Sequence, residues 1–102
     1  MSDMDTLTLK EASNAVLELD VRYREIDNID DKKDMKPARD QAFDAYSTAR
    51  LKLLEEGVIT GQTDLNEMKD LRSEVEHAAN VQSLIVAAGR VAAFLTRLAA
   101  RG

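Results

Sequence analysis

After Glu76 the chain contains no aspartate or glutamate. The stretch from Val81 to Arg101 is rich in Ala, Leu and Val, and its only charges are Arg90, Arg97 and Arg101. A helix of this composition carries more apolar surface than solvent accommodates, so it has to pack against something. The rest of the chain is acidic. Residues 1–35 hold ten acids and five bases, residues 36–79 nine acids and six bases, and residues 80–102 three bases and no acid, for a net charge of −5 over 102 residues.

Apolar residues recur at helical spacing through most of the chain. Leu9, Ala12, Val16, Leu19, Tyr23 and Ile26 follow a 3-4-3-4-3 pattern that places them on one stripe. Thr8 and Glu11 fit a capping box at its start, so a first helix is expected over about 8–27. Residues 28–36 read as a charged connection, with Asp34 as N-cap and Pro37 in the first turn of the next helix, where a missing N–H costs little. That second helix, about 37–56, has a stripe made mostly of Ala: Ala38, Ala42, Ala45, Tyr46, Ala49 and Leu53. Gly57 reads as the residue that ends it, with Val58 making the accompanying apolar contact. The connection to the next helix is short, which predicts that the flanking helices are antiparallel neighbours.

Thr63 is the next N-cap candidate, and Leu65, Met68, Leu71, Val75 and Ala78 make a third stripe. At Asn80 the register changes to Val81, Leu84, Ala88, Val91, Leu95 and Leu98. No Gly or Pro marks a break there, so the pattern favours one helix over 64–100, with a separate fourth helix capped by Asn80 as the alternative. The expected fold class is all-α: an antiparallel helical bundle or extended helical hairpin of three long helices, possibly four, in a single domain over 1–102.

Composition removes several function classes. With no Cys, disulfides, thiol catalysis and thiolate metal sites are excluded. The opening Met1-Ser2-Asp3 is acidic, unlike a secretory signal; no apolar stretch is expected to reach the roughly 18–20 residues a membrane span needs, and Arg90 and Arg97 interrupt the only candidate. A cytoplasmic location is therefore expected. The acidic balance argues against nucleic acid as a partner, since phosphate neutralisation needs a dense Lys/Arg surface.

Tests for chemistry find little. Glu74 and His77 form Glu-x-x-His, a spacing that aims a carboxylate and an imidazole at one metal in helical bundles. One chain supplies one such pair; a homodimer would supply two, with Asp44 or Asp70 as further ligands. A helix-surface His is the plainer reading, and no cofactor is expected. Ser73 lies one turn before His77 but lacks the strained turn and oxyanion donors that acyl transfer needs. The carboxylates fall on polar faces, so no enzyme activity is expected.

On the tail helix Ser83, Arg90, Arg97 and Arg101 share one edge, and Val86 and Phe94 flank it instead of joining the main apolar stripe. An exposed Phe beside Arg suits an interface anchor, which makes Val86, Arg90, Phe94 and Arg97 the candidate interaction residues. The tail also has the look of a helix lying on a membrane surface, although three other stripes in need of partners favour packing. The expected function is a non-enzymatic protein–protein interaction module, an adaptor, assembly or chaperone-like subunit. It would act by helix–helix burial on a second copy or on another helical protein, with the acidic first helix and the Arg edge setting orientation. Two alternatives stand beside it: an acidic inhibitor or immunity-type protein that occupies a basic site, and a small metal-binding helical bundle formed by a dimer.

Overall fold

Four helices account for nearly all of the described residues: α1 (Asp3–Arg24), α2 (Ile29–Glu56), α3 (Gln62–His77) and α4 (Val81–Ala99). The computed structural model describes residues 3–56 and 60–101, and no strand occurs among them. The molecule measures 41 × 20 × 17 Å, a single bundle about as long as its longest helix. Gly57 and Val58, read as the end of the second helix, lie outside the described residues.

α1 starts a turn earlier than the Thr8 capping box implies. Asp3 and Asp5 occupy its first turn, where carboxylates oppose the helix dipole. Thr8 is fully buried inside the helix, and its hydroxyl oxygen meets no hydrogen-bond partner among the described residues. Glu11 reaches Arg72 of α3 instead of turning back to a cap. The expected stripe is otherwise in place: Leu9, Ala12, Val16 and Leu19 are buried, with Tyr23 and Ile26 packed at its end.

α2 also starts early. The Asn28 side chain accepts from the Asp31 N–H at 3.0 Å and caps the helix eight residues before the expected start at Pro37. Pro37 therefore sits inside α2, where it leaves the Lys33 carbonyl without its helical donor. Its ring is exposed, so its bulk displaces nothing in the core. Tertiary contacts hold the extra turns. Met35 is fully buried, and Lys32 and Arg39 lie over the Tyr23 ring at 5.3 and 4.6 Å. Arg39 also bonds Asp20, which Arg24 holds from the other side, closing the α1–α2 hairpin.

Residue pairs along the helices give their directions. Asp5 meets Thr60 and Arg22 meets Val75 and Ala78, so α1 and α3 run side by side in the same sense. Arg90 meets Glu74 and Arg101 meets Asp64, so α3 and α4 are antiparallel. α2 packs most extensively on α4, whereas α2 and α3 make no contact among the described residues. Around the bundle the order is thus α1, α2, α4, α3. The expectation that α2 and α3 are neighbours fails: they are antiparallel but diagonal. A five-residue connection reaches about 17 Å when extended, enough to cross a bundle diagonal of about 14 Å.

The third and fourth helices are separate. α3 ends at His77, Asn80 adopts an extended conformation (φ −153°, ψ 176°), and its side chain accepts from the Ser83 N–H at 2.9 Å. This overturns the favoured reading of one continuous helix over 64–100. The break also allows the register change, because α4 folds back along α3 and does not extend it. At the start of α3, the capping partner is Asp64, whose carboxylate accepts from the Gly61 N–H, and Thr63 lies within the helix.

Candidate interaction surface

α4 buries Leu84, Ala87, Ala88, Val91, Phe94, Leu95, Leu98 and Ala99, all apolar. Its 19 residues, with a mean hydropathy of 1.3, make it long and apolar enough by composition to cross a membrane. The length objection drawn from the sequence therefore does not hold, although Arg90 and Arg97 interrupt the helix and one face lies in the core of the bundle.

The edge of α4 toward α3 carries its charges. Arg90 bonds Glu74, Arg97 bonds Glu67 at 3.1 Å, and Arg101 bonds Asp64 through both guanidinium nitrogens at 2.7 and 2.8 Å. Within the chain, the acids that complement the Arg edge are thus on α3. The Arg101 guanidinium holds the Asp64 carboxyl below the usual carboxylate range, and the Gly61 N–H adds to this against the effect of burial. The acids of α1 turn elsewhere: Asp20 is held by Arg24 and Arg39, and Glu11 by Arg72.

The two apolar residues that flank the Arg line separate. Val86 is 61% exposed, as an interface residue should be, while Phe94 is only 2% exposed. Phe94 is therefore a core residue and not a surface anchor. At 100° per residue the two lie about 80° apart, on opposite sides of the Arg line. α3 covers the Phe94 side, and the Arg97 guanidinium closes over the Phe94 ring at 6.0 Å.

Gln82, Val86, Gly89, Ala93, Thr96 and Ala100 follow a 4-3-4-3-4 spacing, and all six are exposed. Together they form the outward face of α4, free of charge from one end to the other. A Cβ added at Gly89 would meet nothing within 4 Å. Toward α2 this face passes into a shallow groove formed by Asp44 and Ala45 of α2 with Gly89, Ala92, Ala93 and Thr96. At its other end Val86 and Gln82 border a second depression with Glu74, His77 and Ala78. The spacing of these small residues was readable in the sequence, but the large apolar residues of the opposite stripe dominate the pattern.

Of the weak metal candidates, Glu74 and His77 border the same depression, but each has a protein partner. Glu74 is engaged by Arg90, and His77 Nδ1 lies 2.9 Å from the Ser73 carbonyl oxygen of its own helix. Asp44 stands on α2, which does not touch α3. Among the described residues no three His, Asp or Glu side chains are grouped to hold a metal ion. Comparison of the chain with protein-family models, with curated proteins and with solved structures gives no match.

Proposed function

We propose that this protein is a non-enzymatic interaction module of the cytoplasm that binds a helical surface through the outward face of α4. The observation that carries this reading is the lack of charge on that face in a chain of which 32% is charged. Single exposed apolar residues are ordinary and need no explanation. An exposed helix face nearly 28 Å long with no Asp, Glu, Lys or Arg is different, because no charge on it resists desolvation and only Gln82 and Thr96 are polar. Small residues at Gly89 and Ala93 let a partner helix approach closely, and Val86 supplies a side chain for it to cover. Arg90 and Arg97 then act as a rim that orients the partner.

Site-specific photo-crosslinking in the host cell tests this reading. A photoreactive residue at Ala93 is expected to give discrete protein adducts, whereas one at the exposed Lys33 of α2 gives none. Equal labelling at both positions, or none at Ala93, would sink the proposal.

A further inference from the structure

We infer that the partner of the α4 face is a second copy of this chain, docked with the two α4 helices parallel about a two-fold axis along them. The inference rests on the proposed role of this face and identifies what covers it. Its basis is that one edge of the face offers exposed guanidinium groups and the other an exposed carboxylate at matching height. On the α3 edge stand Arg90 and Arg97, whose side chains remain 60% and 67% exposed although each bonds one glutamate. On the α2 edge stands Asp44, exposed and in no ion pair among the described residues, beside Gly89, Ala92 and Ala93 in the shallow groove. Asp44 is therefore level with the middle of the face, between the heights of Arg90 and Arg97.

Symmetry then discriminates between the two ways of pairing such faces. In a parallel two-fold pair each edge faces the opposite edge of the partner, so each Asp44 enters the gap between the partner's Arg90 and Arg97, twice per dimer. In an antiparallel pair like edges meet: the two Asp44 carboxylates face each other, while Arg90 and Arg97, already bonded to Glu74 and Glu67, meet the partner's same pairs and no new carboxylate. Charge complementarity favours the first arrangement and opposes the second. The face is small. A helix of this length and ordinary width offers about 300 Å², well under the roughly 800 Å² per partner of a standard stable interface. The dimer is accordingly weak and reversible, forming in the micromolar range or above.

The absence of cysteine makes the arrangement directly testable. Sedimentation equilibrium of the purified protein should show a monomer–dimer equilibrium that Ala93→Glu abolishes without loss of helicity by circular dichroism. Asp44→Lys should weaken the dimer about fivefold at low salt, an effect that fades as salt is added. Under mild oxidation Gln82→Cys alone should form a disulfide-linked dimer. If Gln82→Cys links only to Ala100→Cys in a mixture of the two variants, the helices are antiparallel and the inference fails. A monomer at every concentration also overturns it. In that case photo-crosslinks from Ala93 to a different protein would leave the interaction reading standing, whereas their absence would remove both.

Discussion

α1 and α4 lie diagonally across the bundle, and both add polar links to an apolar stripe, but of different kinds. Beside its stripe, α1 is tied by polar groups to α3 and to Thr60 just before it. Asp5 accepts from the N–H and hydroxyl of Thr60, Glu11 bonds Arg72, and Arg22 donates to the carbonyls of Val75, Glu76 and Ala78 at the end of α3. α4 buries only apolar side chains and turns its arginines to one edge. Their outward faces differ accordingly. On α1 Leu7, Leu17 and Val21 are about half exposed, but Lys10 and Asn14 separate them at the same helical spacing. On α4 nothing polar enough to hold water separates Val86 from Ala93. The lesson is that the amount of exposed apolar surface does not distinguish the two helices, since α1 has more of it. What distinguishes them is whether charge interrupts it.

The largest test of this contrast is Phe94→Ala. It should cost about 3–5 kcal/mol in urea or thermal unfolding, while Val86→Ala on the same helix changes stability by less than about 0.5 kcal/mol. Similar values for the two would mean that Phe94 is not enclosed. Next comes Arg22→Ala, which strips the last carbonyls of α3 of charged donors and should cost about 2 kcal/mol. A neutral result would show that α1 is held by its apolar stripe alone.

Asp64→Asn is expected to have a smaller effect, with a characteristic pH dependence. The folded carboxyl titrates below its unfolded value, so the stabilisation is present above that ordinary value and is lost as pH falls through the folded one. The wild type should therefore lose stability on acidification below about pH 4, and the loss should be shallower in Asp64→Asn. Parallel acid profiles would deny the Arg101 pair its role. The smallest effects on stability, under about 0.5 kcal/mol, belong to Leu17→Glu and Ala93→Glu. Of these, only Ala93→Glu should alter association.

Much of the fold was legible because burial follows period. Leu9, Val16, Leu65, Met68, Leu71, Val75 and Leu84 are all buried where the stripes put them. The start of α2 was not legible, because a charged run before a proline resembles a loop; only Met35 and the capping residue Asn28 signalled otherwise, and contacts to Tyr23 and Asp20 decide the matter. The break at Asn80 left a capping residue but no Gly or Pro, so local pattern and tertiary folding pointed different ways. Phe94 shows the limit most clearly. Helical geometry gives its angle on α4, but which flank α3 occupies depends on the path of the chain. The uncharged face was readable as spacing; its significance required knowing which side of α4 faces out.

The hydroxyl of Thr8, enclosed in the core without a partner among the described residues, marks a place where the sequence stops short of its own optimum. Valine has nearly the same shape and no oxygen to desolvate. Thr8→Val should therefore raise stability by about 1 kcal/mol, a reserve that an engineer could draw on before altering the α4 face.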